Sequence, residues 1–308
     1  MNDAGTVMTV RGPVPADRLG VVLPHEHLFS DLLLEYRGAG LMADEELAVA
    51  ELGRFADAGG GTLVDLTTME IGRDPAALRR VSEATGVHVV MGCGHYRDPY
   101  LDRAWFDRTP VDAIAEQLVG EITDGVGTER IRPGVIGEIG CDLGHLSAAE
   151  ERSFRAAARA HRATGLTIST HAARRPVGLA QLAVLEHEGV DPGRVVVGHC
   201  DTVPVPSYHL ELAARGCWVQ LDGFGSDGAY YEERALGYVV RLAEAGHLRQ
   251  VLLSHDVFLP AHLHAHGGTG YDHLLTQVVP ALRERGFSEA EVRTLLEDNP
   301  RRALTGGR

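Results

Sequence analysis

Residues 147–171 read SAAEERSFRAAARAHRATGLTISTH, a stretch that holds one complete helix-to-strand unit. Ser147 with Glu150 fits a capping box, Ala148 to Ala163 carries helix-forming residues at helical spacing, and Gly165 closes the helix. A β-branched run, Leu166 to Thr170, follows at once and ends on His171. The same grammar recurs along the chain. Short apolar or β-branched runs predict eight strands: Val21 to Leu23, Leu63 to Leu66, Val87 to Met91, Val135 to Ile139, Leu166 to Thr170, Val195 to Val197, Cys217 to Leu221 and Val251 to Leu253. Helical stretches such as Glu45 to Ala58 and Val111 to Ile122 separate them. Asp74-Pro75 reads as an N-cap followed by an N1 proline, and Gly86, Gly189, Gly216 and Gly246 close helices as Gly165 does. Eight buried strands alternating with helices predict an α/β fold, a (β/α)8 TIM barrel, ahead of an open doubly wound sheet. No linker composition divides the chain, so residues 1–308 read as a single barrel domain. Longer Gly/Pro-containing stretches after the third and seventh strands, Met91 to Pro110 and Asp222 to Glu232, are expected as loops on the catalytic face.

Composition limits the chemistry. All 29 basic residues are arginine, which excludes a Schiff-base lysine, a P-loop lysine and a carbamylated lysine bridging metals. Against 43 acidic residues they leave a net charge of −14, which argues against nucleic acid or an anionic membrane as partner and for a small-molecule substrate. No apolar run reaches the roughly 20 residues of a membrane helix, and the start lacks a secretory pattern. A cytoplasmic location is expected. Cys93, Cys141, Cys200 and Cys217 lie in or beside apolar runs without a CxxC pair, and read as buried free thiols.

The polar residues at the strand ends carry the functional argument. His25 and His27 follow the first strand, Glu138 lies in the fourth, His171 ends the fifth, His199 the sixth and Asp256 the eighth. Residues i and i+2 of a strand share one side, so the His25-Glu26-His27 spacing presents both imidazoles to one metal while Glu26 points away. An HxH pair alone is weak evidence, because histidines also serve as packed core residues. Four histidines and two carboxylates at matching barrel ends form a set that stability does not require, and they point to a metal centre.

Through LPHEH, GEIG, STHA, VVVGHCD, LLSHD, GGTGYDHL and DNPRRAL, motifs spread over nearly the whole chain, the sequence resembles the phosphotriesterase family of the amidohydrolase superfamily. Within it the resemblance is nearest to the phosphotriesterase-related branch, the phosphotriesterase homology proteins. The resemblance implies that His25, His27 and Asp256 hold a more buried metal, that His171 and His199 hold a more exposed one, and that Glu138 bridges them. Two divalent ions are implied, with Zn2+ the default and Mn2+, Fe2+ or Co2+ also fitting imidazole and carboxylate ligands. The best-known members bridge their metals with a carbamylated lysine; here the shorter glutamate takes that place. The implied chemistry is hydrolysis by a metal-bridging hydroxide, with Asp256 taking the proton and returning it to the leaving group.

By the same resemblance Tyr96 stands where lactonase relatives carry an active-site tyrosine, and Arg174, in HAARRP, stands where an arginine can pair with a substrate carboxylate or sulfonate. Arg97 and Arg175 compete for that role. Asp201 and Asp222 are candidates for orienting metal ligands, against ordinary strand-end hydrogen bonding. Where phosphotriesterases proper have a relay histidine this chain has Gly223, so organophosphate triester hydrolysis is the alternative and not the leading reading. That leading reading is hydrolysis of a lactone, carboxylic ester or small N-acyl amide. A barrel that binds a ligand without turnover is the remaining alternative. His255 is expected to be packed rather than ligating, and His262, His264 and His266 to form a loop tract at the mouth. Members of the resembled family often dimerise, which leaves a homodimer open.

Overall fold

The computed structural model describes residues 5–225 and 228–307. The eight expected strands form one sheet: β1 (Val21–Glu26), β2 (Gly60–Asp65), β3 (His88–Cys93), β4 (Val135–Gly140), β5 (Ile168–His171), β6 (Val195–Val197), β7 (Trp218–Leu221) and β8 (Val251–Leu253). Each pairs in parallel with its neighbour in sequence, and helices flank the sheet, so the architecture is the (β/α)8 barrel. The local signals act where they stand. Ser147 and Glu150 make both bonds of the capping box, Asp74 accepts from the Ala77 N–H, and Gly165 closes its helix at φ 77°. The loop expected over residues 222–232 is shorter, because a helix, Ala229–Glu244, begins within it; Ser226 and Asp227 lie outside the described residues.

Closure between β8 and β1 is made by the chain just past both strands. The Asp256 N–H donates to the His25 carbonyl (3.3 Å), and the His27 N–H donates to the Val257 carbonyl (3.2 Å). Glu26, whose side chain leaves the metal face as expected, fastens this seam. Its fully buried carboxylate accepts from Ser254 Oγ (2.7 Å), His255 N (2.8 Å), His255 Nδ1 (2.8 Å) and Val257 N (2.9 Å). His255 Nε2 in turn accepts from the Leu274 N–H at 2.8 Å, so both ring nitrogens are used in packing. Glu26→Ala would strand these donors in the dry seam, and it is expected to lower the unfolding free energy by about 3–5 kcal/mol. Urea denaturation of the metal-loaded protein measures this; a drop below about 1 kcal/mol would show that the seam is held by other contacts.

The opposite end of the barrel has a lid that the strand pattern did not signal. Thr6–Thr9 pairs antiparallel with Gly12–Pro15, and Val7 packs against Val22, Val64, Val90 and Val135 from β1 to β4. Four-residue strands, one of them with two prolines, leave almost no periodicity to read. All four cysteines are buried free thiols. Among the described residues no helix is long and apolar enough to cross a membrane.

Candidate metal centre

The alternation of β1 sends His25 and His27 inward, fully and almost fully buried. Glu138 reaches the same point by a distortion of β4. The register of β4 against β5 shifts between Ile136 and Ile139, and Gly137 there has φ 147° with its would-be Cβ only 2.4 Å from the Ser169 carbonyl. Only glycine fits that position, and it turns the next side chain inward. His199 and Asp256 follow their strands in left-handed conformations, both at φ 54°. For residues with a Cβ that geometry costs about 1–3 kcal/mol, a cost concentrated at functional sites.

These side chains meet around one centre. Glu138 Oε1 faces His27 Nε2 (3.6 Å), while Oε2 faces His25 Nε2 (3.5 Å), His171 Nδ1 (3.0 Å) and His199 Nε2 (3.3 Å). Asp256 Oδ1 lies 3.6 Å from His25 Nε2 and 3.3 Å from His27 Nε2, and its Oδ2 lies 3.7 Å from His199 Nδ1. Two groups have donor atoms mutually within 4.8 Å: His25, His27 and Asp256, and His25, Glu138 and His199. The first is the trio expected for the more buried metal. The second draws in His25, where His171 and His199 were expected together. His171 Nδ1 nevertheless lies 2.8 Å from His199 Nε2, on the more exposed side of the centre.

Outer partners set which nitrogen each imidazole turns inward. Asp222 receives His25 Nδ1 (3.1 Å) and His199 Nδ1 (2.9 Å), leaving both Nε2 atoms for the centre. Thr67 Oγ1 donates to the Phe29 carbonyl and accepts from His27 Nδ1 (2.9 Å), with the same result. The Gln220 amide lies 2.7 Å from His25 Nδ1 and donates to Asp222 Oδ2 at 2.7 Å. Thr67 and Gln220 were not singled out from sequence. Gln220 did carry a signal, as a buried polar residue two positions before Asp222 in an otherwise apolar strand. Behind them Asp201, fully buried, accepts from the Asp222 and Gly223 N–H groups and from Tyr231 Oη (2.7 Å).

The electrostatics fit a cationic occupant. Burial opposes charge on every one of these groups, yet the nearby histidines hold Glu138, Asp222 and Asp256 below the ordinary carboxylate range. Conversely, burial is outweighed by the carboxylates at His25, His27 and His199, whose basicity is raised, His27 to about 9. His171 goes the other way, to about 4, through burial and the cationic field of His199. A centre ringed by the buried carboxylates of Glu138 and Asp222 and the half-buried one of Asp256 demands positive charge. His25 Nε2, buried and without a hydrogen-bond partner among the described residues, points at it. Imidazole and carboxylate donors in this number suit divalent transition metals.

Above the centre opens a cavity of about 470 Å3. Tyr96 is buried beneath its wall with Oη 3.4 Å from His171 Nδ1, and its burial pushes the phenol well above its ordinary pKa. Arg97 lies over the Tyr96 ring and is neutralised by Glu35 and Asp142. Arg174 and Arg175 are exposed at the mouth, and among the described residues neither makes an ion pair. Arg174 is left-handed (φ 65°), pinned by its N–H to Thr202 Oγ1 (2.6 Å). Gly223 is explained by its neighbours: a Cβ there would lie 2.6 Å from Asp201 Oδ2 and 2.7 Å from Tyr231 Oη. The histidine tract spreads out: His262 lines the cavity, His264 bonds Asp272 (2.6 Å) and His266 is exposed.

A family model described as "Phosphotriesterase family" matches residues 5–304. The phosphotriesterase homology protein of Escherichia coli is 36% identical over 285 residues, 92% of this chain and 97% of that protein. The N-acetyltaurine hydrolase of Tetraodon nigroviridis is 31% identical, over 99% of both chains. The crystal structure of the lactonase Lmo2620 from Listeria monocytogenes superposes with a TM-score of 0.90 at 26% identity, covering 97% of this chain and 98% of that one.

Proposed function

From the premise that the chain belongs to the phosphotriesterase family, and is a hydrolase, we propose that it cleaves a small acyl compound bearing an anionic group, an N-acyl amide first and an ester or lactone next. The observation that carries this reading is the pair of arginines at the mouth, Arg174 and Arg175, neither of which makes an ion pair among the described residues. Arg97 is consumed by two carboxylates, whereas Arg174 and Arg175 line the cavity without one among the described residues, and the Arg174 backbone is fixed there by its bond to Thr202. A guanidinium so placed suits a carboxylate or sulfonate at the far end of a substrate. The similarity to N-acetyltaurine hydrolases supports an acylated amine with such a group, and the lactonase neighbour supports attack at an acyl carbon.

His25, His27, Glu138, His171, His199 and Asp256 would hold two divalent ions, Zn2+ by default. When bound, these supply polarisation of the scissile carbonyl and acidification of water. Water adds to the acyl carbon, its proton passes to Asp256 Oδ2, and the same proton goes to the departing nitrogen or oxygen as the acyl bond breaks. Asp256 would enter this cycle ionised, as a carboxylate ligand facing divalent cations is. Tyr96, kept neutral by burial, remains a hydrogen-bond donor at the His171 side of the centre.

A panel of N-acyl amino sulfonates, N-acyl amino acids, neutral N-acyl amines, esters, lactones and a phosphotriester tests the reading. Turnover confined to the phosphotriester, or none at all by metal-loaded protein, would overturn it. Arg174→Ala is expected to raise KM for the anionic substrate about 10- to 100-fold with kcat little changed, and to leave neutral analogues unaffected.

A further inference from the structure

A second cavity, of about 460 Å3, lies on the outer side of the loop that carries Tyr96, and none of its lining residues lines the catalytic cavity. We propose that it is a binding site for a small protonated amine. The inference does not rest on the substrate reading above.

Tyr100, Trp105 and Phe106 supply aromatic walls, and Met69 and Trp105, 54% and 38% exposed, stand on the solvent side. Inside, His95 Nδ1 pairs with Glu70 Oε1 at 2.6 Å, with side chains only 3% and 8% exposed. The imidazole is held by Trp105 (5.7 Å between ring centres) and Phe106 (5.2 Å). The second atom of each polar group, Glu70 Oε2 and His95 Nε2, is buried with no hydrogen-bond partner among the described residues. Tyr100 Oη, on the same cavity, is a third such atom, and buried polar atoms in folded proteins are nearly always paired, so these orphans point to a ligand that completes them.

The chemistry of that ligand follows from the atoms. In the neutral tautomer that donates Nδ1–H to Glu70, His95 presents a lone pair at Nε2, and Glu70 presents carboxylate oxygen. Both are acceptors. Asp102, which caps a helix by accepting from the Ala104 and Trp105 N–H groups, adds a second carboxylate, and no arginine is among the lining residues. The His95 partnership outweighs burial and keeps the Glu70 carboxyl below its ordinary range. An ammonium group brings N–H donors for both acceptors and a positive charge for the carboxylates, and the aromatic walls add cation–π attraction. A neutral donor of the same size supplies hydrogen bonds without the charge, and an anionic ligand is repelled by the carboxylates.

Calorimetric titration of the full, metal-loaded chain with benzylamine at pH 7, where it is protonated, tests the site, with benzyl alcohol as the uncharged isostere. Saturable binding of the amine is expected, at least about tenfold tighter than the alcohol, and at least about tenfold weaker in Glu70→Gln. Trp105→Leu, at the exposed rim, provides a second variant should the buried one fold poorly, and is expected to weaken the amine likewise. No saturable binding, equal binding of the alcohol, or undiminished binding in the folded variants would overturn the proposal. So would binding only to copies of the chain separated from one another, since the cavity would then be a subunit contact.

Discussion

Asp256→Asn is expected to lower kcat by roughly 10²- to 10⁴-fold while most of the bound metal is kept. Asparagine retains an oxygen where Asp256 Oδ1 faces His25 and His27, so the buried trio keeps three donors. It loses the ability to take up a proton at Oδ2, the oxygen turned toward His199. The loss should therefore appear in kcat, with KM for the anionic substrate nearly constant because Arg174 is untouched. Steady-state kinetics together with metal analysis of the same preparation checks this. Near-normal turnover by the metal-loaded variant would remove Asp256 from proton transfer.

The second large effect concerns Glu138. As the carboxylate whose two oxygens face different histidines, it is expected to hold two ions at once, and Glu138→Ala should reduce metal content from about two per chain to about one or fewer, with activity falling beyond detection. Alanine also leaves His171 and His199 facing each other at 2.8 Å without the carboxylate that offsets their burial. Elemental analysis decides the matter: unchanged stoichiometry would show that Glu138 bridges nothing. Activity that returns only at high added metal would instead locate the defect in affinity and support the bridge.

Much of this was legible because the decisive signals are local. Ser147, Glu150 and Gly165 act within one helix, and the inward turn of His25 and His27 follows from period-two alternation alone. What escaped was set by partners far along the chain. Glu26 was read only as pointing away, because its acceptor role depends on residues 254–257, more than 220 positions distant. The strands also run further than their apolar runs, to Glu26, Cys93 and Gly140, since buried polar or small residues at strand ends resemble loops in composition. Glu138 was placed by its position near the end of a strand, but the bulge that aims it requires Gly137, whose need arises from the Ser169 carbonyl on the next strand.

His25-Glu26-His27 combines two functions in three consecutive residues, and this makes the register of β1 a checkpoint. Sliding the strand by one residue would turn the imidazoles into the seam and the carboxylate into the centre, so that closure and metal capture would fail together. A divalent ion that binds the native donor set therefore selects the one register in which the barrel also closes, and stabilises it by mass action. Metal supply during synthesis is therefore expected to act on the yield of correctly closed chains as well as on their activity.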